Sequence, residues 1–245
     1  MLKLKSKEEG MARSKRYQQN VALVDKEKFY DLDEALDVVF NTANAKFDES
    51  IDVAIKTGLK QGQSVRGSVS LPHGTGKQVK VLVFAKGDKA KEAKEAGADY
   101  VGAEELIDKI LKEQWIDYDV VIATPDIMKE VSKLGPILGR KKLMPNPKVG
   151  TVTFDIAKTV QEFKKGKLEF RSDKTGNIHV SVGKKSMGKD KIKDNILVLV
   201  REVNRARPAD YKGEFIKNIS ISSTMGPGVK LNRTSVVQEA NKLNI

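Results

Sequence analysis

The pattern of apolar and polar residues near the N-terminus predicts a helix followed by a strand. The helix is indicated by apolar residues at helical spacing, namely Leu32, Ala35, Leu36, Val39 and Phe40. Asp31 or Asp33 is placed to cap this helix. In the strand, three apolar residues alternate with three others: Ile51, Val53 and Ile55 with Asp52, Ala54 and Lys56. Such alternation is typical of a strand with one face in water.

The middle of the chain has a different pattern. The segment VKVLVFAKG is a continuous apolar run, which is typical of a strand buried on both faces. It is followed by the helical pattern DKAKEAKEAGA, the short strand DYVG, the helix AEELIDKILKEQW and the buried strand DYDVVIATPD. Strands and helices alternating at this spacing predict a parallel α/β layer. Prolines and glycines interrupt residues 133–150, so we expect little regular structure there.

Antiparallel patterns return in the last third of the chain. A helix over DIAKTVQEFKKG is followed by a predicted hairpin over KLEFRSDKTGNIHVSVG, the longest helix over 189–208 and a last strand over ISISS. We therefore predict an α/β (α+β) fold with two domains. Domain I is α+β and combines residues 12–73 with 166–245, and domain II is a parallel α/β insertion over 74–165. Residues 1–11 are expected to be a disordered extension.

The last strand has one apolar and one polar face. Ile219 and Ile221 share a face because side chains alternate along a strand. The other face carries Asn218, Ser220, Ser222 and Thr224. Small hydrogen-bonding groups in a row suit a phosphate or ribose partner, and Gly226 and Gly228 leave the following backbone uncovered. A solvated strand that ends in a Gly-Pro turn explains the same pattern, so the residues alone leave both interpretations open.

Two other segments carry candidate contacts. The loop GRKKLMPNPK contains four cations and no acid: Arg140, Lys141, Lys142 and Lys148. A basic loop stiffened by proline favours phosphate binding, although charge clusters are often only solvated. The predicted hairpin tip carries Arg171, Asp173, Lys174 and His179, which also fit a simple turn with incidental charges.

The composition limits the classes of partner and the chemistry that the protein can have. The net charge of +12 comes from 45 basic and 33 acidic residues, and it favours partners with dense negative charge. Nucleic acid is the commonest such partner and an anionic membrane surface the second. The chain has no cysteine, which excludes disulfides and thiolate chemistry. No apolar run approaches the ~20 residues of a membrane span.

Enzyme motifs are absent from the sequence. HGTGKQ resembles a phosphate loop, but Leu71 and Gln78 stand where glycine and a hydroxyl residue are required. Neither the G-x-G-x-x-G dinucleotide fingerprint nor a G-x-S-x-G elbow occurs. The two histidines, His73 and His179, lack the spacing of a metal site. We therefore expect no enzyme activity, no cofactor and no metal.

Seven long motifs, in order, carry a resemblance to a known family. They are NAKFDESIDV, VRGSVSLPHGTGK, EAGADYVG, VIATPDIM, KLGPILGRKKLMPNPKVGTVT, FRSDKTGNIH and ISISSTMGPGVKLN. Together they resemble the bacterial type of the L1 family of large-subunit ribosomal proteins over nearly all of the chain. One departure is Gly139-Arg140-Lys141-Lys142, where the family usually has Gly-Pro-Arg-Gly.

The resemblance implies a fold, a function and a set of contact residues. The inserted domain is expected to be Rossmann-like, and domain I is expected to bind the rRNA of the mobile stalk beside the exit site. Expected roles are release of deacylated exit-site tRNA and repression of the chain's own operon mRNA, in the cytoplasm with other ribosome components. A monomer when free and no membrane association are expected. The implied contacts in domain I are Lys46, Phe47, Glu49, Arg171, Asp173, Lys174, His179, Ser220, Ser222, Thr224, Met225 and Gly226.

Phe47 is ambiguous at this level, because its parity with Ile51 would place it on the core side if the strand began there. Two other functions also compete with the ribosomal one. A free-standing RNA-binding regulator would be absent from the large-subunit peak in sedimentation. A nucleotide-dependent enzyme would bind a mononucleotide through the parallel block, and the failed motifs argue against this class.

Overall fold

The computed structural model describes residues 14–60, 62–209 and 211–243, so the expected disordered extension at 1–11 lies outside it. The helices are α1 Lys15–Ala22, α2 Leu32–Thr42, α3 Asp88–Glu95, α4 Glu104–Glu113, α5 Met128–Val131, α6 Gly135–Leu138, α7 Ile156–Lys165, α8 Lys189–Arg205 and α9 Arg233–Lys242. The strands are β1 Ser50–Thr57, β2 Arg66–Ser70, β3 Val81–Phe84, β4 Tyr100–Gly102, β5 Val120–Ala123, β6 Lys167–Arg171, β7 Asn177–Lys184, β8 Ile216–Ser223 and β9 Val229–Lys230. No described helix has the length and apolarity needed to cross a membrane.

Four strands form an antiparallel sheet in the order β7-β1-β8-β9. Ile51, Val53 and Ile55 of β1 point to one face and are almost completely buried. Helices α2, α8 and α9 pack against the sheet on this side. Burying one such side chain stabilises the fold by about 1.5–3 kcal/mol, so the apolar face fixes which side of each strand meets the helices. The other side remains polar.

Helix α8 is the longest and supplies much of this core. Its buried stripe contains Ile192, Ile196, Leu199, Val200 and Val203. The polar residue Asn195 of α8 is also fully buried. Its side-chain amide donates to the carbonyl oxygens of Gly74 and Val182, both at 2.8 Å. Its side-chain oxygen accepts the His73 N–H at 3.3 Å. Asn195 therefore joins the helix to the segment that leads into the parallel sheet.

The parallel sheet has the order β4-β3-β5 and is covered on both faces. Val81 and Val83 of β3 pack with residues of α3 and α7. Leu82 and Phe84 point the other way and pack with α4 and the helices over 125–138. Both faces of β3 are covered, which explains why its sequence is a continuous apolar run. With the antiparallel sheet, it confirms the predicted α/β class.

The apolar clusters draw on different parts of the chain. The cluster beneath the antiparallel sheet draws on residues 24–71 and 170–240, and the two clusters around the parallel sheet draw on residues 81–163. The connecting segments cross at Gly74 and Gly166, which both have positive φ, and a Cβ on Gly166 would lie 2.4 Å from the Gly74 Cα. The assignment of two domains stays a prediction.

Three features differ from the sequence-based expectations. The predicted hairpin over 167–183 is joined by one bridge, Ser172 to Ile178, before its strands separate into two sheets, β6 pairing with β2 and β7 with β1. The chain does not end on the last long strand, because β9 and α9 follow it. Asp31 is the N-cap of α2, but its side chain makes no capping hydrogen bond.

Candidate nucleic-acid interface

The strand β8 has the two-faced character that its alternation predicts. Ile219 and Ile221 are completely buried on the helix-covered face. The side chains of Asn218, Ser220 and Ser222 lie on the opposite face and are partly exposed. Paired residues of an antiparallel sheet share a face, so the register with neighbouring strands shows which side chains surround these three.

The register places four residues in a row across the sheet. His179 of β7 pairs with Ala54 of β1, Ala54 pairs with Ser220 of β8, and Ser220 pairs with Lys230 of β9. Neighbouring strands are about 4.8 Å apart, so this row spans about 14 Å. The row has a hydroxyl near its centre, one imidazole at one end and one ammonium at the other. It is the widest row of the polar face.

Two shorter rows flank the first. Ser181, Asp52 and Ser222 form one, and Asn177, Lys56 and Asn218 form the other. The face defined by the three rows, called the polar face below, thus combines hydroxyls and amides with two lysines, one histidine and one aspartate. Such a surface offers many donors to phosphate and ribose oxygens.

Thr224 lies just beyond β8, where the turn begins, and is exposed. Its hydroxyl accepts the Ser50 N–H at 3.0 Å and donates to the Ser50 carbonyl oxygen at 3.3 Å. The Thr224 N–H donates to the same carbonyl at 3.0 Å. The hydroxyl therefore helps to hold the turn against β1. To donate to a phosphate it must release the Ser50 carbonyl, although one lone pair is free to accept a ribose hydroxyl.

Glu49 does not lie on the exposed surface where the resemblance placed it. The residue is 1% exposed, and its carboxylate accepts the Ala45 N–H at 2.8 Å and the Met225 N–H at 3.0 Å. Burial acts to raise the pKa of Glu49, but these two backbone donors hold that pKa below its ordinary value. Glu49 therefore positions the surface around it by joining the loop before β1 to the turn after β8.

The two segments that Glu49 joins carry exposed apolar side chains. Phe47 is 54% exposed and Met225 is 47% exposed, and Lys46 is exposed beside Phe47. Because β1 begins at Ser50, side-chain alternation does not extend to Phe47, and the ring points away from the core. Asp48 holds the same loop in place by accepting the N–H and hydroxyl of Ser186, at 3.0 and 2.7 Å. These bonds also lower the pKa of Asp48.

The two glycines of the turn have different reasons to be glycine. A Cβ on Gly226 would lie 2.4 Å from the Ser223 hydroxyl oxygen, and Ser223 is buried, so packing requires glycine there. Gly228 is exposed, its φ is not in the positive region, and no atom lies within 4 Å of the position of a Cβ. The fold itself does not require glycine at 228, and a partner could approach the bare backbone closely.

The tip between β6 and β7 is organised by Asp173. Its carboxylate accepts the N–H groups of Thr175 and Asn177, both at 2.8 Å, and the Thr175 hydroxyl at 2.8 Å. The Asn177 N–H and these other donors lower the pKa of Asp173 far below its ordinary value. The carboxylate is thus occupied by the turn and supports its exposed neighbours Arg171 and Lys174 rather than offering a free group to an anion.

The basic loop contributes one residue to the surface near this tip. Lys142, which has a positive φ of 61°, lines a surface cleft together with Arg171, Lys174 and His179. The exposed Arg140, Lys141 and Lys148 do not line this cleft. Arg140 donates from Nε to the Pro136 carbonyl oxygen at 2.7 Å, which orients its guanidinium along the helix before it. The four cations of the loop therefore do not act as a single cluster.

Several residues of the polar face were missed by the sequence-based prediction. Lys230 lies in β9, which has two residues and is too short for any alternation to be visible. The polar side of β1 was recognised as wet, but Asp52 and Lys56 were not linked to β8. Ser181 and Asn177 were missed for the same reason, since only strand pairing brings them beside Asp52 and Lys56.

A comparison with known families matches most of the chain. The family model described as the ribosomal protein L1p/L10e family matches residues 39–227. The matched segment is more than three quarters of the 245-residue chain. It contains β1, β7, β8, the turn after β8 as far as Pro227, the tip at Asp173 and the basic loop. Lys230 lies outside it.

Proposed function

The chain belongs to the ribosomal protein L1p/L10e family, and on that premise we propose that its polar face binds the rRNA of the mobile stalk beside the exit site. Membership makes the chain a structural protein of the large ribosomal subunit that binds rRNA, and the family is not a family of enzymes. The proposal concerns the part of the rRNA that is bound, and the residues that bind it.

The observation that carries the proposal is the register of the antiparallel sheet. It brings His179, Ser220 and Lys230 into one row, although they are far apart in sequence. Phosphate and 2′-hydroxyl groups repeat along an RNA backbone, and a flat face of small donors with cations at its edges matches such a partner. Phe47 and Met225, exposed beside the face, provide apolar surface for bases that are not paired.

The finer roles involve the polar face and the basic loop. The rRNA-bound protein assists release of deacylated tRNA from the exit site, and Arg140, Lys141, Lys142 and Lys148 of the basic loop contact that tRNA. The chain also represses translation of its own operon mRNA, because an mRNA segment folded like the rRNA site presents the same backbone to the polar face. Association with the ribosome places the protein in the cytoplasm, and it is a monomer when free.

A matched pair of double variants tests the polar face. We expect Ser220→Ala with Ser222→Ala to weaken binding to a stalk fragment of the large-subunit rRNA, since each hydrogen bond to a charged phosphate contributes roughly 1.5–3 kcal/mol. The control is Ser68→Ala with Ser70→Ala, which removes two hydroxyls at the same spacing from β2, in a different sheet. Gel-shift titration measures both. If the two double variants bind the rRNA fragment with equal affinity, the polar face is not part of the RNA interface.

Two further measurements test the finer roles. In competition, the leader of the chain's own operon mRNA should displace the rRNA fragment, and the Ser220→Ala and Ser222→Ala double variant should lose both ligands together. Absence of the protein from the large-subunit peak in sedimentation of lysate would instead identify a regulator that acts away from the ribosome. Failure of the mRNA to compete would remove the repressor role.

A further inference from the structure

The edge of the polar face beyond β9 is formed by the segment before α2. The Tyr30 N–H donates to the Lys230 carbonyl oxygen at 2.9 Å, and the Asn232 N–H donates to the Tyr30 carbonyl oxygen at 2.7 Å. Tyr30 is buried in the core, so its neighbour Phe29 points outward, and Phe29 is 60% exposed. The widest row of the polar face therefore ends with Lys230 and then with an exposed aromatic ring.

Lys230 and Phe29 are close enough to act on one ligand. The Lys230 ammonium lies 5.9 Å from the centre of the Phe29 ring. A single exposed aromatic residue is common on protein surfaces and by itself means little. Here the Phe29 ring lies at the edge of the polar face, and the Lys230 ammonium lies between that face and the ring. This combination of a cation and an aromatic face is the usual platform for an unpaired nucleotide.

A shallow groove lies at the same edge. It is lined by α1 and the segment after it, through Tyr17, Val21 and Lys26, and by Pro227, Gly228 and Lys230 from the other side. Its volume is about 230 Å³. Gly228, where the fold does not require glycine, leaves the floor of this groove open. The charged side chains that line it are Lys26, Lys230 and Asp25, and Asp25 accepts the Glu27 N–H at 2.9 Å.

We infer that Phe29 and Lys230 hold one unpaired nucleotide of the RNA that lies on the polar face. The Phe29 ring stacks on the base, and the Lys230 ammonium contacts the adjacent phosphate. The nucleotide must be unpaired because a base within a helix has no face free for stacking. This inference rests on the proposed function, and it adds a contact outside the segment that the family model matches, since both residues lie beyond 39–227.

Variants at Phe29 test the stacking. Phe29→Ala and Phe29→Leu should each weaken binding to the stalk rRNA fragment roughly 5- to 100-fold, because a base stacked on an aromatic ring contributes on that scale. Phe29→Trp should bind within about twofold of the wild type because the stacking face is kept. The leucine variant separates stacking from simple apolar contact. Phe154→Leu is the control, since Phe154 is 52% exposed but lies before α7, away from the polar face.

Lys230 gives a second and independent readout. Lys230→Gln should lower the slope of log affinity against log salt by about 0.7, the value for one phosphate of a single strand. Lys112→Gln, which removes an exposed charge from α4, should leave the slope unchanged. Ultraviolet cross-linking of the wild-type complex, followed by peptide mapping, should place a nucleotide on the peptide that contains Phe29.

The outcomes separate the inference from the proposed function. If Phe29→Leu binds as the wild type does while the Ser220→Ala and Ser222→Ala double variant loses affinity, the polar face binds RNA and the edge does not, which overturns the inference alone. If the wild type does not bind the fragment, both fail. If Phe29→Leu changes only the association with another ribosomal protein, the ring has a protein partner and the inference is again wrong.

Discussion

The two main sheets of this protein differ in how many of their faces are buried, and the difference separates scaffold from interface. The parallel sheet packs Val83 on one side and Leu82 on the other, so its central strand β3 has no side chain available to a partner. The antiparallel sheet buries Ile219 but leaves Ser220, the next residue, on a polar face. A sheet that is covered on one side by helices can bind a large flat partner without any change in its core.

The strongest test of this comparison places one charge on each face. Ile219→Asp should lower the free energy of unfolding by about 4 kcal/mol or more, because an unpaired charge enters the core. Ser220→Asp should lower it by no more than about 1 kcal/mol but should abolish RNA binding by repelling phosphate. In the parallel sheet, Leu82→Asp and Val83→Asp should both destabilise as strongly as Ile219→Asp. Chemical denaturation measures all four, and a mild effect at 82 or 83 would contradict the two-sided burial.

A smaller effect is expected from the buried carboxylate that joins the two edges of the interface. Glu49→Gln should lower the free energy of unfolding by about 1.5–3 kcal/mol, because the Ala45 and Met225 N–H groups bond to different carboxylate oxygens and glutamine replaces one of these acceptors with an NH2 donor. The variant should also bind RNA more weakly, since Phe47 and Met225 lose their common support. Glu105→Gln, at an exposed position of α4, is the matched control.

The dependence of this effect on pH has a defined sign. Because the folded-state pKa of Glu49 lies below its ordinary value of 4.5, the stabilisation is present above pH 4.5 and is lost as the pH falls through the folded-state pKa. The difference in stability between the wild type and Glu49→Gln should therefore shrink between pH 6 and pH 3. A constant difference across that range would show that the carboxylate is not the group that titrates.

The two glycines of the turn after β8 are expected to respond differently to substitution. Gly226→Ala should destabilise by about 1–3 kcal/mol because its Cβ meets the buried Ser223 hydroxyl. Gly228→Ala should leave stability unchanged or raise it by up to about 1 kcal/mol, since nothing occupies the space of its Cβ. Gly228→Ala should nevertheless weaken RNA binding, because the methyl group occupies the surface where the backbone is bare. Thermal unfolding measures the stability of both variants, and gel-shift titration measures their affinity for RNA. If Gly228→Ala binds RNA as tightly as the wild type does, position 228 is not part of the contact.

The elements with strong local patterns were predicted well. Alternation identified β1 and β8 because burial of one face leaves a period of two in the sequence, and the continuous run identified β3 because both of its faces are covered. Helix α9 was missed because it buries only Val236 and Ala240, which is too few for a visible stripe. The tip at Asp173 was correctly predicted as a turn, but its two strands were paired wrongly, since β6 pairs with a strand about 100 residues earlier.

By itself, the sequence determined the polar character of alternate positions in β8, the excess of positive charge and the family, because these properties are local or additive along the chain. Only the tertiary structure decided that Lys230 and His179 border the same row as Ser220, and that Glu49 is buried. Strand register depends on how the apolar faces of distant segments pack on α2 and α8, and no local pattern encodes which strands become neighbours.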